Sequence, residues 1–240
     1  MAGMSLPLVH LRASQTAQPA AVAPASATVR AIEPPATPLP EEAASAGVTR
    51  FSFVAYGDTR SGGDPNVPGD GRVLQAEHSR IVDRVISRTG ELASTPFPIR
   101  FVLQSGDAVL RGTDVAMWNV SFSPIIERLT RSANLPFFFA VGNHDVSGGE
   151  GGRALGLQNT LAAISKLIPA AASARRLKGY PTYAFGYGNS FFVALDSNIP
   201  DDAVQIAWVR DQLEHLDRAR YRHVIAVSYT HLTLPTNREV

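Results

Sequence analysis

The sequence predicts a single α/β domain in which buried strands alternate with helices. Three observations lead to this prediction. Short apolar runs are bounded by Gly, Asp and Pro; segments of helical periodicity lie between them; and 45% of the 240 residues are hydrophobic. Strands of this kind are buried in the sheet, and the alternating helices cover them. A chain of this length suits one large domain better than two small ones.

The predicted strands follow from the apolar runs, taken in chain order. They cover residues 51–56, 99–104, 135–141, 191–195 and 224–227. Apolar residues at helical spacing predict a helix over 73–88 and another over 201–218. Strands are therefore expected inside the domain and helices outside.

The N-terminal part of the chain has a different composition. Residues 13–46 consist mainly of Ala, Pro, Ser and Thr, with four prolines close together at 34–40 and almost no aromatic residue. Such a stretch buries too little apolar surface to offset the entropy lost on ordering. We therefore predict that residues 1–49 are disordered, either as a tether behind an export signal or as a plain tail, and that the folded domain covers residues 50–227.

Composition also narrows the function classes. The 22 Lys and Arg residues against 21 Asp and Glu residues give a net charge near +1, which is no signature of nucleic-acid binding. The absence of cysteine excludes thiolate metal sites and Cys-based catalysis, but leaves exported, periplasmic and cytoplasmic locations open. Because no apolar run reaches the roughly 20 residues that span a bilayer, no transmembrane segment is predicted. The sequence does not indicate an oligomeric state.

Polar turns follow the first three predicted strands. They lie at residues 57–60 (GDTR), 106–107 (GD) and 142–145 (GNHD). Ligand sites in α/β sheets form beyond the carboxyl ends of the strands, so the three turns are expected to converge. A Gly-Asp pair alone is more typical of a turn or a helix cap, but turn chemistry does not require the histidine of the third motif.

The residue types in these turns suit metal-assisted hydrolysis. Asp58, Asp107 and the side-chain carbonyl of Asn143 are oxygen ligands for divalent cations. Two such cations can clamp a phosphoryl group while one of them activates a bound water. His144 is then a candidate acid for the leaving oxygen, with Asp145 as a candidate partner for its second ring nitrogen.

Over residues 51–227, these motifs resemble the first three motifs of the calcineurin-like metallophosphoesterase superfamily. The resemblance implies a two-metal hydrolase of phosphate mono- or diesters, with Fe, Mn or Zn as the metal, on a four-layer α/β/β/α sandwich. It places the first metal on Asp58, both metals on a bridging Asp107, the second metal on Asn143, and a substrate contact on His144. The strand and helix within residues 185–213 also resemble members similar to purple acid phosphatases.

Position 60 departs from the family pattern, in which Asp-x-His supplies a metal-binding histidine. Arg60 cannot bind a cation, so the first metal would have fewer protein ligands. The fork of donors on a guanidinium suits a phosphate contact, which makes Arg60 a candidate substrate-binding residue. Arg60 pointing into solvent is an equal alternative. The nearest replacement, His78, is predicted to be a surface histidine on the first helix.

Residues 228–240 do not match the family pattern. Members continue after the strand at 224–227 with a metal-binding histidine and a Gly-His-x-His block, and this sequence has neither. A back-translation of residues 227–236 resembles a transposase-based sequencing adaptor. We therefore predict a non-native tail at 228–240 and do not assign His231 as a ligand. With these ligands missing, the 240-residue chain is predicted to be an incomplete, inactive domain.

Two rival functions fit parts of the sequence. A metallophosphoesterase fold that has lost catalysis and serves as a binding protein is favoured by Arg60, and metal content would discriminate it from an enzyme. An exported scaffold tethered by the Ala/Pro segment would need purely structural Gly-Asp turns. The GNHD motif at 142–145 argues against that scaffold.

Overall fold

The computed structural model describes residues 28–60, 75–146 and 151–229. Within these ranges the fold is mixed α/β, with two three-stranded sheets. The strands are β1 (Ser52–Tyr56), β2 (Ile99–Gln104), β3 (Phe137–Phe139), β4 (Tyr183–Tyr187), β5 (Ser190–Ala194) and β6 (His223–Val227). The first sheet has the order β1-β2-β3 and is parallel throughout. In the second sheet, β5 lies between an antiparallel β4 and a parallel β6.

Helices connect these strands. They are α1 (Ala76–Leu92), α2 (Ser123–Glu127), α3 (Gly152–Ile164) and α4 (Ala203–Glu214). Turns of π-helix at Met117–Phe122 and Arg128–Ser132 flank α2, and a 3₁₀ turn spans Glu42–Ser45. Within the described ranges, no helix has both the length and the apolar character needed to cross a bilayer.

The predicted elements agree with the structure in type, and they differ in extent. The strand at 99–104 is confirmed with the same bounds as β2. The run at 135–141 shortens to β3, whose pairing with β2 covers only three residues. Proline at 136 has no N–H to donate to a ladder, which limits the strand at its start. The helix predicted at 201–218 is α4, which is shorter at both ends.

The predicted elements do not include α2, α3 or β4. All five residues of β4 are buried, so the strand has no alternation of polar and apolar residues to identify it. Helix α3 begins with Gly152 and contains Gly156, both poor helix formers. Tertiary packing therefore decides these elements.

Aromatic side chains fill the space between the two sheets. Phe101 of β2 packs edge-to-face against Phe185 and Phe192 of the second sheet, with ring centroids 5.5 and 5.2 Å apart. Phe138 of β3 stacks on Phe185 at 3.9 Å. Edge-to-face and stacked pairs each add stability beyond their buried area. The two sheets thus form one aromatic core.

Residues 28–49 differ from the prediction of a disordered segment, because they pack against the folded chain. Val29 and Ile32 are buried in the main core, and the Ile32 amide donates to the Ala163 carbonyl at 2.8 Å. The Thr37 amide donates to the Asn134 side chain at 2.9 Å. This Pro-rich stretch is ordered by a few buried apolar side chains and by hydrogen bonds from its backbone. The average composition of the stretch does not reveal these individual contacts. Residues 1–27 lie outside the described ranges.

Candidate active site at the strand ends

The carboxyl ends of β1, β2 and β3 lie side by side because the three strands are parallel. Backbone hydrogen bonds join the turns that follow them. The Asp58 amide donates to the Gly106 carbonyl, and the Arg60 amide donates to the Asp107 carbonyl, both at 2.9 Å. The Gly112 amide donates to the His144 carbonyl at 2.8 Å. The structure therefore brings the three polar turns together.

The backbone around the two aspartates is unusual. Asp58 and Asp107 both have φ of 55°, in the left-handed region that side chains other than glycine rarely adopt. A Cβ atom at Gly142 would lie 2.1 Å from Asp107 Oδ1, so only glycine fits there. Left-handed backbone at non-glycine residues clusters at functional sites, and here it occurs at two of the three predicted metal ligands, Asp58 and Asp107.

The carboxylate of Asp107 is fully buried but incompletely hydrogen-bonded. Oδ1 accepts from the His144 amide at 3.1 Å. Oδ2 lies 3.4 Å from Arg60 Nε, in ion-pair range, yet no described residue meets it in hydrogen-bond geometry. Leaving a buried acceptor unsatisfied costs about 1–3 kcal/mol. Asp107 therefore presents an oxygen that is ready for a further ligand.

Tyr229 also lies against this carboxylate. Burial, followed by the proximity of the Asp107 carboxylate and its negative charge, raises the pKa of Tyr229 to about 12. The neutral phenol is consequently the form present near neutral pH. Tyr229 falls within the segment predicted to be a non-native tail, of which residues 230–240 lie outside the described ranges.

Arg60 joins the two aspartates. Its Nη1 forms an ion pair with Asp58, and its Nε faces Asp107. The Arg60 side chain is 25% exposed and that of Asp58 is 58% exposed, so this ion pair is at the open side of the site. The alternative in which Arg60 points into solvent is wrong. A phosphate contact by Arg60 stays a prediction.

His144 is held by the second polar turn. Its Nδ1 lies 2.8 Å from the Leu110 carbonyl, which can only accept, so Nδ1 carries the proton. With Nδ1 fixed as a donor, Nε2 is the ring nitrogen at which a proton can be gained or released. His144 as a whole is partly exposed.

Asp145 has a different role from the one predicted. The predicted partnership with the His144 ring is wrong, since Leu110 provides the acceptor. The buried Asp145 carboxylate instead accepts four backbone N–H groups at 2.8–3.2 Å, from Asp107, Ala108, Val109 and Gly142. Burial, with the Asp107 charge adding to it, raises the pKa of Asp145 to about 7, whereas the N–H donors act in the opposite direction. Asp145 thus holds the second and third turns together.

Asn143 sits between two anchored neighbours. The Gly142 amide donates to Asp145 and the His144 amide donates to Asp107. Asn143 itself is exposed. Its backbone is therefore fixed at the site while its side chain stands at the surface.

His78 is buried, so the prediction of a surface histidine is wrong. Its ring contacts the Tyr56 hydroxyl at 3.0 Å and Gln75 Oε1 at 2.8 Å. Gln75 Nε2 donates to the Ala108 carbonyl at 2.7 Å, next to Asp107. Burial lowers the pKa of His78 to about 4, so the ring is neutral. The sequence analysis did not identify Gln75 as a partner of His78. Gln75 precedes His78 by three residues at the start of a helix, and this spacing is the signal that could have indicated their contact.

The described residues include donor types that suit a divalent cation. The donor types of Asp58, Asp107 and Asn143 are oxygen ligands, and the unpaired Asp107 Oδ2 suits a cation. Within the described ranges, no group of three or more His, Cys, Asp or Glu residues could hold a metal ion. A two-metal centre therefore needs ligands besides these. Comparison with protein-family models and with curated proteins finds no match to this chain.

Proposed function

We propose that this chain carries the first half of the active site of a metal-dependent phosphoesterase that hydrolyses phosphate mono- or diesters. The observation that supports this proposal is Asp107: a fully buried carboxylate on left-handed backbone, with one oxygen lacking a hydrogen-bond donor. Such an oxygen is destabilising in a purely structural turn, and it becomes favourable when a cation binds it.

Asp58, Asp107 and Asn143 are the residues that would hold divalent metal, with Asp107 shared between two ions. The ions, Fe, Mn or Zn, would clamp the phosphoryl group and activate a water molecule. The Asp107 backbone is held by Asp145, and its side chain by the His144 amide. The ligand is thus fixed before any cation arrives, which reduces the entropy lost on binding.

His144 is the proposed acid for the leaving oxygen. The Leu110 carbonyl accepts from Nδ1 and orients the ring, so a second proton on Nε2 is the one available for transfer. Arg60 is the proposed phosphate contact, because the guanidinium retains N–H groups beyond those that face the two aspartates.

The four-layer α/β/β/α arrangement belongs to this proposal. In the second sheet, alternate residues face opposite sides. Phe192 belongs to the core between the sheets, whereas Phe191 and Val193 belong to a separate cluster with Trp208 of α4. On the first sheet, Val82 and Val85 of α1 contribute to the main core. These contacts support helices on the outer faces of both sheets.

The test compares metal content and turnover in an extended chain, in which the genomic coding sequence replaces everything after Ala226, and it thereby also tests the predicted non-native tail. Asp107→Asn should reduce bound metal and lower hydrolysis of p-nitrophenyl phosphate or bis(p-nitrophenyl) phosphate by at least about 100-fold. Loss of outer-shell partners alone lowers metal affinity or activity 10–100-fold, and loss of a ligand should exceed this. The two substrates also distinguish monoester from diester preference.

Asp83→Asn is the matched control, because Asp83 is an exposed carboxylate that pairs with Arg128 at the surface. It should leave metal content and turnover unchanged. An extended chain that holds no metal and hydrolyses neither ester would contradict the proposal.

A second candidate is a binding protein of the same fold without catalysis. The observation that favours it is the position of Arg60 across Asp58 and Asp107, where a cation would otherwise lie. This candidate predicts binding of a phosphate ester by an extended chain that carries no metal and shows no turnover. Elemental analysis and calorimetry on the same preparation distinguish the two functions.

A further inference from the structure

Arg60 and a divalent cation require the same carboxylates. The guanidinium ion-pairs with Asp58 through Nη1 and approaches Asp107 through Nε, so one positive group joins both aspartates. A metal bound to these two side chains would need the oxygens that face Arg60. Two positive groups at the same oxygens repel each other, and this repulsion is strong where one carboxylate is fully buried.

We propose that Arg60 is a built-in counter-cation that competes with divalent metal for Asp58 and Asp107, so that metal enters this site by displacing the guanidinium. The proposal rests on the proposed function for the identity of the metal ligands. It adds a specific role for the residue that replaces the family histidine: Arg60 sets the metal affinity of the site.

The contacts of Arg60 suit a group that can be displaced. Its Nε is 3.4 Å from Asp107 Oδ2, which has no hydrogen-bond donor, so this contact is a charge interaction without a well-formed hydrogen bond. Its other partner, Asp58, is more than half exposed, and exposed ion pairs contribute little stability. Neither of these contacts binds the guanidinium strongly.

The backbone of the turn does not depend on the Arg60 side chain. The Arg60 amide donates to the Asp107 carbonyl, and the Asp58 amide donates to the Gly106 carbonyl. Asp145 holds the Asp107 amide from the other side. The guanidinium can therefore move away, or be removed by substitution, while the two aspartates stay in place.

The experiment titrates Mn²⁺ into the 240-residue chain and its variants by isothermal calorimetry, with thermal unfolding recorded at each Mn²⁺ concentration. Arg60→Gln removes the competing charge, and we expect about tenfold tighter Mn²⁺ binding, since a partly exposed ion pair is a modest competitor. Mn²⁺ should also raise the melting temperature of Arg60→Gln more than that of the unsubstituted chain, because ligand binding stabilises in proportion to affinity.

Two further variants keep the test sharp. Arg60→Lys retains the positive charge and should bind Mn²⁺ more weakly than Arg60→Gln. If Arg60→Gln does not fold, the comparison of Arg60→Lys with the unsubstituted chain still tests the proposal. Arg80→Gln removes an exposed arginine that pairs with Glu77 on α1, and it should leave Mn²⁺ affinity unchanged.

The proposed competition is wrong if the unsubstituted chain, Arg60→Gln and Arg60→Lys bind Mn²⁺ with equal affinity. It is also wrong if none of them binds Mn²⁺ measurably. Turnover by the extended chain is measured in parallel. Turnover with unchanged metal affinity removes this inference and leaves the proposed function standing. Absence of metal and turnover in the extended chain, with or without Arg60, removes the proposed function itself.

Discussion

The strand-end site and the N-terminal anchor both contain charged side chains, but the carboxylates in the two regions differ in how completely they are hydrogen-bonded. We define the anchor as residues 41–46, which pack against the second sheet. The Glu42 carboxylate accepts from Arg175 Nε and Nη2, each at 2.9 Å, from the Tyr221 hydroxyl at 2.8 Å and from the Gly186 amide at 3.1 Å. At the strand ends, the more deeply buried Asp107 has one oxygen without a hydrogen-bond donor.

The buried carboxylates of this fold differ in their hydrogen bonds. Burial alone does not distinguish them, because Asp145 is as buried as Asp107 yet has four N–H donors. A carboxylate such as Asp145, whose oxygens accept several N–H donors, holds the turns of the fold together. A buried carboxylate with an unpaired oxygen destabilises the fold, and we propose that a ligand accounts for its retention. Substitutions at the two kinds of carboxylate should therefore affect different measurements.

The largest expected effect is on turnover, at His144. In the extended chain, His144→Gln should lower turnover by roughly 10²–10⁴-fold, the usual contribution of a general acid. Metal content and melting temperature should change little, because the proposed role of His144 is toward the substrate. The loss should be smaller for p-nitrophenyl esters than for alkyl esters, whose poorer leaving groups need the proton more. An equal loss for both ester types would argue against proton donation.

The next largest effect is on stability, at Asp145. Asp145→Asn places an amide group against backbone N–H donors that need acceptors, and should lower the free energy of unfolding by about 3 kcal/mol. Asp107→Asn, the matched substitution at the unpaired carboxylate, should change stability much less. Urea denaturation of both variants measures the difference. Equal destabilisation would remove the distinction between the two carboxylates.

His78 gives the strand-end region a pH dependence. Its pKa is lowered by burial from 6.5 to about 4, so the unfolded chain binds this proton more readily than the folded one. Stability is therefore lost as pH falls from about 6.5 towards 4, by roughly 2 kcal/mol between pH 7 and pH 5. His78→Gln should remove this part of the fall, whereas substitution of the exposed His215 should not. Denaturant titrations at both pH values measure it.

The smallest effect is expected in the anchor. Burial would raise the pKa of Glu42, but hydrogen bonds from Arg175 and Tyr221 outweigh it and lower the pKa below 4.5. The stability that Glu42 contributes is thus present above pH 4.5 and lost as pH falls through the lowered value. Glu42→Gln should lower stability by about 1 kcal/mol at pH 7, since the site is partly exposed. Glu41→Gln, at the neighbouring exposed residue, provides the control. Equal melting temperatures for the two variants would contradict the stabilising role of Glu42.

The sequence predicted what depends on local pattern. Apolar runs located the parallel strands of the first sheet, and the polar residues at their carboxyl ends gave the candidate site. Strand β2 was predicted to the residue because both ends of its apolar run coincide with the pairing limits. The meeting of Asp58, Asp107 and His144 follows from parallel topology, which the alternation of strands and helices indicates.

The rest depends on contacts between distant residues, which one sequence does not display. The acceptor for His144 is the backbone carbonyl of Leu110. Every residue has such a carbonyl, so the residue type does not indicate which one accepts the hydrogen bond. His78 is buried because Phe122, Tyr56 and Gln75 surround it, although its neighbours in sequence are polar. Arg60 lies between Asp58 and Asp107 because backbone hydrogen bonds join their turns, which are distant in sequence.

The anchor has a practical consequence for defining where the folded unit starts. Trimming the chain to Arg50, where the composition turns globular, would remove Val29, Ile32 and Glu42 together. Their removal would uncover the apolar surface beneath them and leave the Arg175 guanidinium without its carboxylate. A protease that attacks exposed, unpaired backbone should therefore spare the bonds at Arg30 and Ile32, whose N–H groups are hydrogen-bonded about twenty residues before the first strand.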